Sequence, residues 1–108
     1  MKIIPFTWDD ANVQIEALGE HLAGGGTASS FGIASFPAGR RHPAHGHSIH
    51  EGTEISFILG GEFDVETADG VAAVAKDHVV VIPAGEPHAT TARQAGRVAY
   101  FLINEIQE

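Results

Sequence analysis

Four of the seven histidines in this chain fall between positions 42 and 50, as His42, His45, His47 and His50, and Glu54 follows them. A fifth, His88, closes a second short motif, Pro-Ala-Gly-Glu-Pro-His at residues 83–88. Imidazole nitrogens and a carboxylate concentrated in this way suit a divalent metal. His45 and His47 are two apart, so on a strand both point to one face. Glu54 opens the next strand after a turn, and His88 opens another directly after a rigid Pro-Ala-Gly turn. If strands over 41–47 and 54–59 lie close together, His45, His47, Glu54 and His88 face one interior. Such a set binds iron, manganese, nickel, zinc or copper. On an octahedral metal it leaves positions for water, dioxygen or a substrate oxygen.

The rest of the chain reads as the scaffold that brings the two motifs together. Residues 1–13 read as an arm or edge strand, since Pro5 suits an edge better than a centre. Residues 14–22 fit a helical turn or a strand equally. Gly24, Gly25 and Gly26 form a flexible connection, not a phosphate loop, because no Lys-Ser or Lys-Thr follows. A strand is expected over 27–36, with Phe31, Ile33 and Phe36 toward the core, and Pro37 to Gly39 ends it. Strands follow over 54–59, 62–67, 71–75, 78–82, 88–92 and 97–103. Between them, turns are expected at Gly60-Gly61, 68–70, 76–77, 83–85 and 94–96. Residues 105–108 read as a frayed acidic tail. Many short strands with almost no helix predict an all-β fold, an antiparallel barrel or double-sheet jelly roll.

Composition narrows the function classes. A chain of 108 residues makes one domain, with 44% apolar and 19% charged residues typical of a globular protein. Six basic against 14 acidic residues give a net charge of -8, which argues against a nucleic-acid partner. The absence of cysteine excludes disulfide frameworks, thiolate metal sites and cysteine nucleophiles. No apolar run reaches the length of a membrane span, and a cytoplasmic protein is expected.

At these motifs the chain resembles a small single-domain cupin, whose fold is a double-stranded β-helix or jelly-roll barrel. Gly39, His45, His47, Glu54 and Gly61 fill the first cupin motif, and Pro83, Gly85 and His88 fill the second. The positions matched by His45, His47, Glu54 and His88 are the metal ligands of that family. Two departures stand out. Six residues separate His47 from Glu54, where the family has three or four. His50 instead stands four before Glu54, the family's usual spacing for its second histidine, and that register puts Ser48 where the first would be. His50 is therefore the alternative ligand. In the second motif Lys76 and Ala92 replace a glycine and an asparagine.

The resemblance implies one domain over 1–108, with an N-terminal arm and edge strand at 1–26 and the barrel at 27–104. It implies a metal-dependent dioxygenase, isomerase, lyase or decarboxylase acting on a small oxygen-bearing molecule, in which His50, Glu51 or His42 handles protons. The alternatives are a non-catalytic small-molecule binder or sensor, and a barrel that its metal merely staples. His42 is expected beside the metal rather than on it, Thr90 on the face of His88, and His78 as an exposed strand residue. Phe57, Phe63, Tyr100 and Phe101 are expected in the core. The family also implies a homodimer, for which the apolar arm at residues 3–6 is suited.

Overall fold

Seven strands follow one another: β1 (Gln14–Ala23), β2 (Thr27–Phe36), β3 (Arg41–His42), β4 (Thr53–Thr67), β5 (Gly70–Ala75), β6 (Val79–Ile82) and β7 (Ala89–Glu105). The computed structural model describes residues 1–23 and 27–105. The glycine connection at 24–26 and residues 106–108 of the acidic tail lie outside the described residues. Among the described residues there is no helix, so none long and apolar enough to cross a membrane.

Two long strands organise the sheet. β4 and β7 pair antiparallel from Thr53↔Ile103 to Glu66↔Ala89. β2 adds to the C-terminal half of β7 and β1 to β2, while β3 adds to the N-terminal half of β7. β6 pairs with the first half of β4 and β5 with the second. The glycine pair at 60–61 and residues 94–96 were expected to turn the chain, and instead both strands run through them. The reason is long-range. Gly61 has φ +84°, and a Cβ there would lie 2.5 Å from the Gly96 Cα and 2.6 Å from the Ala95 carbonyl oxygen. The register slips three times between Ile58 and Phe63. Such bulges bend a strand without ending it. The ladder creases there, so β1, β2, β6 and the adjoining halves of β4 and β7 face β3, β5 and the other halves. The result is a jelly-roll sandwich whose sheet path, β1-β2-β7-β4-β5, stays open.

The core lies at the crease. Phe63 is fully buried and meets Phe36 edge to face at 5.4 Å between centroids, with Ala34, Ile58, Ala92 and Val98 around them. Strand alternation decides which apolar residues reach this space. Ser56 and Ile58 point in; Phe57 and Leu59 point out. Phe57 and Phe101 were expected in the core, but they share the outer face and pack on each other at 6.0 Å. Tyr100, of opposite parity, packs against the core.

Residues 14–23 settle as strand, and the preceding arm is clipped to the body. Ser35 Oγ donates to the Asp9 carbonyl at 2.7 Å, Arg97 pairs with Asp10, and its guanidinium lies 4.8 Å from the Trp8 ring centroid. The strand expected over 41–47 is present only at Arg41–His42. Pro43 has no N–H to continue the ladder and Gly46 takes φ +72°, so the chain leaves the sheet there.

Candidate metal centre

Two loops are stitched together at the end of the sandwich away from the crease. Outside the strands, Ser48 N–H donates to the His88 carbonyl at 2.8 Å and His88 N–H to the Ser48 carbonyl at 3.0 Å. Gly85 N–H, in the turn that precedes His88, donates to the His50 carbonyl at 2.8 Å. These bonds bring His50 and His88 over the start of β4, where Glu54 lies opposite Leu102 and Ile82.

The three side chains converge. His50 Nε2 lies 3.2 Å and His88 Nε2 3.7 Å from the same oxygen, Glu54 Oε1. One ligand atom from each falls within 4.8 Å of the others. Ser56 Oγ donates to Glu54 Oε2 at 3.0 Å, which turns Oε1 toward the histidines. His88 Nδ1 is 3.0 Å from the Glu86 carbonyl oxygen. In the neutral ring that contact puts the proton on Nδ1 and leaves Nε2 as an acceptor. An imidazole lone pair then faces a carboxylate oxygen, an arrangement that needs a proton or a cation between them. Ligand atoms about 2.1 Å from a shared ion stand roughly 3–4 Å apart, so the spacing fits a first-row divalent metal.

The protonation energetics agree. The Glu54 carboxylate facing it at 3.7 Å raises the pKa of His88 above the usual 6.5, against the opposing effect of burial. Burial pushes Glu54 up, but the facing His88, the hydrogen bond from Ser56 and the charge of His50 outweigh it and hold the carboxyl below 4.5. Burial, then the charges of His50 and His88, lower His42 below 6.5 and favour its neutral form.

Of the ligands nominated from spacing, the structure brings together Glu54 and His88, and with them the alternative, His50. His45 and His47 lie exposed on the loop after β3, outside this group. Glu51 is exposed and does not line the cavity below the site. His42 and Thr90 do line it, and His78 is exposed, its Nδ1 2.9 Å from the Ala75 N–H. Reading the sequence overlooked Ser56, although its place two residues after Glu54 puts it on the same face. The Ser48–His50 spacing of two, four before Glu54, was the signal for the other loop.

Below His50, Glu54 and His88 lies a cavity of about 140 Å³. His42, His50, Glu54 and His88 line its outer end, and Phe36, Ile58, Phe63 and Val98 its inner end toward the crease. Tyr100 lies between, with its hydroxyl over Gly32, where a Cβ would come within 2.5 Å of it.

An open jelly-roll sandwich with two histidines and a carboxylate converging at one end defines a class of small β-proteins with an internal, metal-competent site. The model of the cupin domain family matches residues 32–104, and the chain belongs to that family. Among solved structures, a cupin superfamily protein from Desulfitobacterium hafniense is 18% identical, with a TM-score of 0.71 over 93% of this chain and 84% of that one. An RmlC-like cupin with a double-stranded β-helix fold from Methanocaldococcus jannaschii is 14% identical, with a TM-score of 0.73 over 98% and 91%. Salicylate 1,2-dioxygenase from Pseudaminobacter salicylatoxidans is 16% identical, with a TM-score of 0.59 over 70% of this chain and 20% of that one. At these identities the likeness is one of fold. No curated protein matches the chain.

Proposed function

We propose that this cupin is a metal-dependent enzyme acting on a small oxygen-bearing molecule, with His50, Glu54 and His88 as the metal ligands. The observation that carries this reading is the convergence of two Nε2 atoms on Glu54 Oε1 at one end of a cavity. The bound metal would supply a Lewis acid or a meeting point for substrate and dioxygen. The chain's own residues do the rest. Ser56 and the Glu86 carbonyl hold two ligands in orientation. The neutral imidazole of His42 accepts a proton from a bound hydroxyl. The dioxygenase activity of the structural neighbour from Pseudaminobacter supports that reaction type among the isomerase and lyase options. The apolar lining of the inner end also favours a second reading, a non-catalytic small-molecule binder. The proposal includes a cytoplasmic setting and a homodimer, the latter supported by the exposed apolar arm, where Ile3 is 79% and Phe6 46% exposed.

The test is the elemental metal content of untagged protein beside His50→Ala, His88→Ala and the double variant His45→Ala/His47→Ala. Near-stoichiometric metal, lost in the first two and kept in the third, is the expected result. Loss only in the double variant would move the site to His45 and His47. Metal-free wild type that resists reconstitution would leave the binder.

A further inference from the structure

The charges around the cavity point to the class of molecule it takes. The chain has six Lys and Arg residues. Arg41 is paired with Glu66, Arg93 with Asp64 and Arg97 with Asp10, while Lys2, Arg40 and Lys76 are exposed. None lines the cavity, and the stretches outside the described residues contain neither type. Inside, the one carboxylate is Glu54 and the inner wall is apolar.

This arithmetic rests on the metal-site reading above. A divalent ion with one carboxylate ligand and neutral imidazoles leaves a net charge of +1. A monoanion brings the site to neutrality. A dianion leaves a net negative charge with no guanidinium or ammonium among the lining residues to meet it, which is unfavourable. Volume gives a second guide: about 140 Å³ compares with the roughly 150 Å³ cavity that holds benzene, so a larger body would have to protrude from it. We infer that the cavity takes a compact organic monoanion, a monocarboxylate or enolate whose apolar body is no larger than one six-membered ring, and excludes dianions and phosphate esters. The anionic oxygen lies toward His50 and His88, the apolar body toward Phe63 and Val98, and Tyr100 flanks the two.

The experiment uses full-length protein loaded with Ni²⁺ at pH 8, where an ordinary imidazole is neutral. Calorimetric titration compares benzoate, phthalate (the ring with a second carboxylate) and 1-naphthoate (a second ring). Benzoate is expected to bind about tenfold or more tightly than either of the others. Ile15, at the cavity wall and 46% exposed, gives the charge its own test. Ile15→Lys is expected to raise phthalate affinity about tenfold while changing that of benzoate less than about threefold. Phthalate or naphthoate binding as well as benzoate, no benzoate binding to metal-loaded protein, or an unchanged phthalate affinity in Ile15→Lys would each overturn the inference. Failure to load metal is read separately, before any ligand is added. It would sink the metal-site reading and this inference with it.

Discussion

Ser48 and His88 exchange both backbone hydrogen bonds across the mouth of the sandwich, at 2.8 and 3.0 Å, although neither belongs to a strand. The pairing sets how far His50, two residues on, stands from His88. It uses main-chain atoms only, so its importance is invisible in the Ser48 side chain.

Removing the Ser48 N–H is therefore expected to loosen the proposed metal site while sparing the side chains of His50, Glu54 and His88. Ser48→Pro is expected to weaken metal binding by about 10–100-fold, the cost typical of losing a group that orients a ligand. Ser48→Ala is expected to bind as wild type does. Metal titrations on both variants, with thermal melts to confirm folding, check this.

The His88–Glu54 contact has opposite consequences with and without metal. Without it, His88 has a raised pKa, so its contribution to stability is complete below about 6.5 and is lost as pH rises through the raised value. Glu54 has a lowered pKa, so its contribution is present above about 4.5 and is lost as pH falls through the lowered value. His42, whose pKa is lowered, acts in the opposite direction over the same interval, so the His88 contribution is read against His88→Gln: without metal, the melting temperature of wild type is expected to exceed that of the variant by more at pH 6 than at pH 8. Metal competes with the His88 proton, so the stabilisation by added metal is expected to grow over the same interval. Melting curves at the two pH values, with and without metal, give both signs. A wild-type advantage over His88→Gln that is no larger at pH 6 than at pH 8 would contradict the pairing.

Gly61 and Gly39 both take positive φ, +84° and +82°, but only Gly61 is crowded by the backbone of another strand. Gly39→Ala is expected to cost about 1 kcal/mol, the conformational strain alone. Gly61→Ala adds a clash with Ala95 and Gly96 and is expected to cost on the order of 3 kcal/mol. Denaturant unfolding of the two variants measures the difference.

The arm carries the proposed homodimer. Deleting residues 1–8 removes exposed Ile3 and Phe6 together with the Trp8 ring on Arg97. The expected outcome is half the mass in solution by light scattering and a lower melting temperature. An unchanged mass would separate the arm from assembly.

Much of this fold was legible because alternation and turn residues are local signals. The strands over 27–36, 62–67 and 71–75 and the turns at 68–70 and 83–85 carry that chemistry in their own sequence. Gly60-Gly61 misleads because a glycine pair looks the same at a turn and at a crease. What decides is Gly96, 35 positions away on another strand. The loop after β3 was harder. His45-Gly-His47 has strand parity only if the strand persists, and Pro43 and Gly46 mark where it does not. Glu54 and His88 sit at strand ends bounded by clear turns. His50 reaches them through the Ser48–His88 and His50–Gly85 backbone bonds, which leave no mark on side-chain identity.

Because β4 and β7 each run through both layers, they act as a reading frame for the molecule. Between Glu54 and the bulge at Gly60, every even position faces the cavity and every odd one faces outward. Inserting or deleting one residue there would exchange the two sets, sending Phe57 inward and Ile58 to the surface. The exposed stretch 44–47 carries no such frame, and the frame resumes at Ser48, whose backbone bonds to His88, with that of His50 to Gly85, hold the loop in place. Changes of length are therefore channelled: they fit in the stretch that bears His45 and His47, and neither the Ser48–His50 segment nor the strand that bears Glu54 takes them without moving the site.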